Sequence, residues 1–139
     1  MKRNILFLCT QNACRSQMAE GLLRHMADSD CEAFSAGVAP SSLDLRAVAV
    51  MREIGIDISG QFSKSVELFS AKSFDAVITV CDHAKESCPV FPGAARMLHW
   101  GFPDPAKARG TEEQILAEFG RIRNLIRDRI RKALDQREI

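Results

Sequence analysis

Apolar and polar positions change period several times along the chain. Asn4 to Cys9 is a nearly continuous apolar run, the pattern of a strand covered on both faces. Gln17 to Met26 spaces Met18, Leu22 and Met26 at helical intervals. Glu32 to Ser35 reads as a short second strand, closed by Ala36-Gly37. From Leu43 to Ile54 the pattern is helical again. Leu43, Ala47, Val50, Met51 and Ile54 share one side, and Gly55 is the C-terminal stop. Phe74 to Val80 (FDAVITV) is rich in β-branched residues and predicts a third strand, and Arg96 to Trp100 a fourth. Thr111 with Gln114 forms a capping box ahead of the last helix, whose buried stripe is Ile115, Phe119, Ile122, Ile126, Ile130 and Ala133.

Strands that alternate with helices predict an α/β fold: a four-stranded parallel sheet with helices on both faces, in a single domain spanning residues 1–139. Ligands of such sheets sit beyond the carboxyl ends of the strands. Cys9, Cys81 and Trp100 each stand at such an end, so the chemistry is expected at one edge of the sheet.

Composition narrows the function classes. Of 139 residues, 46% are hydrophobic, enough for one core, and no run approaches the length of a membrane span. Met1-Lys2-Arg3-Asn4 leads directly into the first strand, which predicts no signal peptide and a cytoplasmic location. A formal charge of +1 gives no reason to expect nucleic acid as partner. No membrane partner is expected either, and a monomer is expected. The five cysteines, Cys9, Cys14, Cys31, Cys81 and Cys88, are an odd number, which argues against a purely structural disulfide framework. Catalysis, redox exchange and metal binding stay open for some of them, and burial as small apolar residues for others.

Residues 9 to 16, CTQNACRS, join the first strand to the first helix. A loop curled over a helix N-terminus aims backbone N–H groups inward, and the helix dipole adds partial positive charge. Such a loop suits a tetrahedral oxyanion. The expected cradle is Thr10, Gln11, Asn12, Ala13, Cys14, Arg15 and Ser16. Arg15 can hold two oxygens in a fork, and Cys9 at the base would be stabilised as thiolate. Thr10 or Ser16 could add a hydroxyl donor to that sulfur. The loop has no glycine, so Asn12 is the residue best able to supply a positive φ. Cys14, at the helix start, is expected to be structural.

This loop resembles that of the low-molecular-weight protein tyrosine phosphatases and of the arsenate reductases that share their fold. The resemblance implies that the cysteine attacks the oxyanion, the arginine binds it, and an aspartate before a proline protonates the departing oxygen. Phe102-Pro103-Asp104-Pro105 fits the last requirement.

The segment CDHAKESC, residues 81 to 88, separates the two activities. A phosphatase needs only Cys9, whereas a reductase must deliver two electrons. If residues 81 to 88 were one helix, the Cα atoms of Cys81 and Cys88 would lie roughly 10 Å apart. A disulfide needs less than about 7 Å. A Cys81–Cys88 bond therefore requires the segment to unwind, and oxidation is expected to remodel residues 82 to 90.

The similarity is strongest to the thioredoxin-coupled arsenate reductases. It rests on CTQNACRSQMAEG, the SAG at 35 to 37, CDHAKESCP, and HWGFPDPAKARGTEE from His99 to Glu113. It implies Cys9 as nucleophile, Cys81 and Cys88 as second and third thiols, Arg15 as substrate ligand and Asp104 as acid. Disulfides Cys9–Cys81 and then Cys81–Cys88 are implied in turn. The substrate implied is arsenate, with phosphate or sulfate as competing oxyanions. Reducing equivalents come from thioredoxin or a similar dithiol protein, with no bound cofactor or metal. The alternative is a low-molecular-weight phosphatase. Against it, Ala106 follows Pro105 where those phosphatases commonly carry an aromatic, and the chain has no tyrosine. Some members of the family bind potassium near the loop through an asparagine, a glutamate, a serine and an aspartate. Asn12, Glu20 and Ser35 match, but Lys64 stands at the aspartate's position, and its ammonium is expected to replace the cation and pair with Glu20.

Three further features carry weaker expectations. Cys81, His83 and Cys88 could bind zinc with a fourth ligand, though the spacing is not a standard one. The arginines of the last helix are interspersed with acids and predict a solvated face. Cys31 has no assigned partner.

Overall fold

In the computed structural model, which describes residues 2–87 and 90–139, the first apolar run forms β1 (Arg3–Cys9). Ile5 through Cys9 are all buried. Successive strand residues face opposite sides, so helices and loops cover both faces of β1. It pairs in parallel with β2 (Cys31–Gly37) on one side and with β3 (Ala76–Thr79) on the other. β4 (Met97–His99) pairs in parallel with β3, which gives the order β2-β1-β3-β4.

Four α-helices alternate with the strands: α1 (Arg15–Ala27), α2 (Leu45–Arg52), α3 (Asp82–Ser87) and α4 (Glu112–Asp135). Two short 3₁₀ turns, Val66–Phe69 and Pro105–Lys107, lie between them. α1 packs against β1, β2, α2 and α4, while α3 rests on β1 and β3. The α/β architecture expected from the periodicity is the one found. No helix among the described residues is long and apolar enough to cross a membrane.

Element boundaries differ from the sequence reading where tertiary pairing or capping takes over. β2 runs from Cys31 to Gly37, longer than Glu32–Ser35, because it pairs residue for residue with the whole of β1. α2 is shorter than 43–54. The Asp44 carboxylate accepts the Arg46 N–H at 2.8 Å and caps the helix there, leaving Leu43 outside it. Leu43 still packs on the core, whereas Leu45 is 79% exposed. The Thr111–Gln114 capping box is present as expected.

The basic face of α4 needs correction. Arg123 is buried, donating to Val50 O at 2.6 Å and to the Glu53 carboxylate at 2.8 Å. Arg129 stacks over the Trp100 ring at 4.3 Å and pairs with Glu138 at 2.7 Å. Arg121, Arg131, Lys132 and Arg137 are exposed as expected. Guanidinium groups are weakly hydrated and planar, so they tolerate burial and stacking that a charge count alone does not reveal.

Phe119 is fully buried on α4, against which α1 and α2 pack. Phe119→Ala is expected to lower the unfolding free energy by about 3–5 kcal/mol, with Arg131→Ala changing it by no more than about 0.5 kcal/mol, both measured by urea denaturation.

Candidate active site

The loop after β1 is held from outside by its carbonyl groups. Cys9 O accepts from Val38 N–H, Thr10 O from Ala39 N–H, Gln11 O from Ser41 N–H and Ala13 O from Asp44 N–H. The Gln17 side chain donates to Asn12 O at 3.0 Å, and Cys14 O accepts the Met18 N–H within α1. In a trans peptide the next N–H points opposite to the carbonyl. With the carbonyls engaged outward, the loop amides are left to converge on a bowl above the N-terminus of α1.

Asn12 has φ 51°, as expected for the one residue of the loop able to adopt it. Its buried side chain fixes that turn. Nδ2 donates to Ser16 Oγ at 2.8 Å, and Oδ1 accepts from Gln17 Nε2 at 2.9 Å and from Lys64 N–H at 3.1 Å. Gln61 in turn donates to Gln17 Oε1 at 2.7 Å. Gln17 and Gln61 were not singled out from sequence, since glutamine has no signature until its partner is known. Gly37 was seen only as part of a strand ending. A Cβ there would lie 2.7 Å from Thr10 O and 2.9 Å from Asn12 N, so any side chain would displace the loop.

The bowl opens into a cleft of about 730 Å³ lined by Cys9, Thr10, Cys14, Arg15, Cys81, Asp104 and Lys107, among others. Arg15 reaches across it. Nη1 donates to Phe102 O at 2.9 Å, Nη2 lies 3.7 Å from an Asp104 carboxylate oxygen, and the buried Nε has no partner. The other Asp104 oxygen accepts the Ala106 N–H at 3.0 Å, which holds the carboxyl group at the cleft wall. Lys107, a second cation at this rim, was not anticipated from sequence.

Cys9 and Cys81 both line the cleft. The neighbouring Cys81 thiol pushes the Cys9 thiol up, with burial adding to it, while Arg15 and the Thr10 N–H pull it down. Cys9 in turn pushes Cys81 down, to about 5, against burial. Thr10 Oγ1 at 3.2 Å and Ala84 N–H at 3.4 Å also favour the Cys81 thiolate. The surroundings thus favour the Cys81 thiolate and disfavour the Cys9 thiolate. Of the two hydroxyls expected near Cys9, Thr10 instead faces Cys81, and Ser16 is held by Asn12. Burial pushes the Cys14 thiol up to about 12, so it is inert at neutral pH. Cys31 is buried at the far end of the sheet beside Arg3. Cys88, the third sulfur in the sequence reading, lies outside the described residues, so the zinc alternative with Cys81 and His83 also has a member there. Among the described residues no group of three or more histidine, cysteine or acidic side chains is arranged to hold a metal.

Behind the loop, Lys64 Nζ lies 3.5 Å from Glu20 Oε1, 3.3 Å from Ser35 Oγ and 3.0 Å from Phe62 O. Ser35 donates to Glu20 at 2.5 Å, and Arg24 closes on the other Glu20 oxygen at 2.6 Å. The oxygens expected of a potassium site thus already surround an ammonium, and Asn12 Oδ1 is used by two N–H donors. These residues do not fit a monovalent metal ion.

Two outcomes are expected. Only a thiolate is alkylated, so mapped iodoacetamide modification of Cys81 should be level above about pH 6 and fall as pH drops through about 5, with Cys14 unmodified throughout. Phosphate affinity by calorimetry should be equal in potassium and tetramethylammonium salts at one ionic strength, and Lys64→Asp should make it potassium-sensitive.

Residues 4–138 match the family described as low molecular weight phosphotyrosine protein phosphatase. An arsenate reductase of Bacillus licheniformis is 46% identical over 131 residues, which covers 94% of each chain. A solved arsenate reductase in the phosphate-binding state is 32% identical, with TM-score 0.83 over 98% of both chains. The thioredoxin-dependent arsenate reductase of Corynebacterium glutamicum is 33% identical, with TM-score 0.65 over 89% of this chain and 60% of the other. The oxyanion bowl with Cys9 and Cys81 therefore sits on a known scaffold: the chain belongs to the low molecular weight phosphotyrosine protein phosphatase family.

Proposed function

We propose that the chain is an arsenate reductase that works by covalent catalysis at Cys9 and a disulfide relay through Cys81 and Cys88. The observation that carries this reading is that Cys9 and Cys81, from the ends of two neighbouring strands, line the same cleft at the floor of the loop. Hydrolysis of a phosphate ester needs one thiolate and water, so it gives no role to a second, thiolate-poised sulfur. Relatives with 46% identity that carry the reductase name support the same choice.

Arsenate, a tetrahedral anion, enters the bowl against the loop amides and the Arg15 guanidinium. The incoming anion competes with Cys81 for Arg15 and the Thr10 hydroxyl, and a proton moves from Cys9 to Cys81. The Cys9 thiolate attacks arsenic. An S–As bond forms, an As–O bond breaks, and the oxygen leaves as water with a proton from Asp104. Cys81 passes its proton to solvent water and, as thiolate, attacks the Cys9 sulfur. The S–S bond forms as the S–As bond breaks, its electron pair stays on arsenic, and arsenite departs. Cys88 then attacks Cys81 and frees Cys9 as thiolate. A thioredoxin-type dithiol reduces Cys81–Cys88 by exchange and is itself oxidised to a disulfide. The residues require no bound cofactor, and the reaction is set in the cytoplasm, where such dithiols are kept reduced.

The third step constrains α3. α3 takes up the six residues between Cys81 and Cys88 in the chain, and a disulfide across that spacing needs the helix to unwind.

The test is a turnover assay with arsenate, thioredoxin, its reductase and NADPH. Cys88→Ser should release one arsenite per enzyme and stop. Cys81→Ser should release none yet still hydrolyse a simple aryl phosphate. Normal arsenate turnover by both variants would replace the relay with the hydrolytic reading.

A further inference from the structure

Behind Cys81 a line of three side chains runs from the sheet to α3. Thr79 Oγ1, buried at the end of β3, lies 2.7 Å from His99 Nδ1 on β4. His99 Nε2 lies 3.0 Å from Asp82 Oδ1, in the residue that follows Cys81 and opens α3. The mechanism uses none of these three groups.

α3 has only six residues, far too few to persist as an isolated helix. Its position therefore depends on tertiary ties. On one side Ala84 is buried, and its N–H reaches the Cys81 sulfur at 3.4 Å. On the other, the hydrogen bond between His99 and Asp82 ties its first residue to the sheet. Space for that tie depends on Gly101: a Cβ there would lie 3.2 Å from His99 Nε2 and 3.7 Å from Asp82 Oδ1.

The Thr79 hydroxyl lets the tie survive a change in the imidazole's charge. When the ring is neutral with its proton on Nε2, Thr79 donates to Nδ1. When both nitrogens carry protons, Thr79 accepts from Nδ1 and turns its own hydrogen to Leu98 O, 3.4 Å away. In both states Nε2–H faces the Asp82 carboxylate.

We propose that His99 is a positioning residue for Cys81: held by Thr79 and holding Asp82, it fixes the first turn of α3 so that the Ala84 N–H stays on the Cys81 sulfur. The proposal deepens the relay reading, since it assigns His99 to the thiol that attacks Cys9 there. A hydrogen bond to a charged group is among the stronger ones, so its loss should weaken the Cys81 thiolate by roughly tenfold.

The test measures iodoacetamide alkylation of Cys81 against pH in a Cys9→Ser background, where no turnover is possible. His99→Phe removes both ring nitrogens and should move the midpoint up by about one pH unit, which corresponds to a tenfold change. His99→Gln keeps an N–H for Asp82 without a charge and should leave the midpoint where it was. A shift common to both variants would mean that histidine charge, not position, matters, and no shift in either would leave His99 without a role; both results overturn the proposal. Asp82 is exposed, so Asp82→Ala should fold. It should speed hydrogen exchange of the Ala84 amide severalfold, and unchanged exchange likewise overturns the proposal. With Cys9 intact, His99→Phe should slow single-turnover arsenite release while keeping aryl phosphate hydrolysis; equal loss of both would mark His99 as merely structural. Alkylation and exchange need no arsenate, so failure of the reductase reading would show in the turnover assay alone.

Discussion

The site depends first on the register between two parallel strands. β1 and β3 pair with Leu8 opposite Thr79, and the Val80 N–H donates to Leu8 O. Just past that pairing β1 ends at Cys9 and the chain after β3 reaches Cys81, so both cysteines line the cleft at one edge of the sheet. Side chains alternate along a strand, so a slip of one residue would send one sulfur to the other face of the sheet. Burial of β1 on both faces, with Ile5, Leu6, Phe7 and Leu8 all at 0% exposure, makes such a slip expensive. The hydrophobic core thus sets the register that brings the two cysteines to one cleft.

A second constraint is electrostatic. Arg15, the Thr10 hydroxyl and the Ala84 N–H favour a thiolate at Cys81, whereas burial and the neighbouring Cys81 thiol disfavour one at Cys9. The Lys64 ammonium behind the loop neutralises Glu20 without an added metal ion, which leaves the loop scaffold internally satisfied.

Much of this was legible in the chain. The run Asn4 to Cys9 followed by CTQNACRS announced strand, cradle and helix, and Asn12 was the one residue able to make the turn. Thr111 and Gln114 marked the start of the long helix because capping is local chemistry. Two differences had a common cause in partners distant in sequence. Arg123 is buried because Val50 O and Glu53 wait for it 70 or more residues away. Thr10 serves Cys81, 71 residues on, and not its neighbour Cys9.

By itself, the sequence determined what covalent spacing and local backbone preference control: the alternation of strands and helices, the oxyanion loop, the caps, and which sulfurs were available. Only the tertiary structure decided which groups meet. It brought Cys9 and Cys81 to one cleft, set the Thr10 hydroxyl and the Ala84 N–H on Cys81, set Lys64 against Glu20, and tied the start of α3 to the sheet through His99 and Thr79. Local chemistry is written in consecutive residues, whereas ion pairing and thiolate stabilisation depend on distances of a few ångströms that folding alone creates.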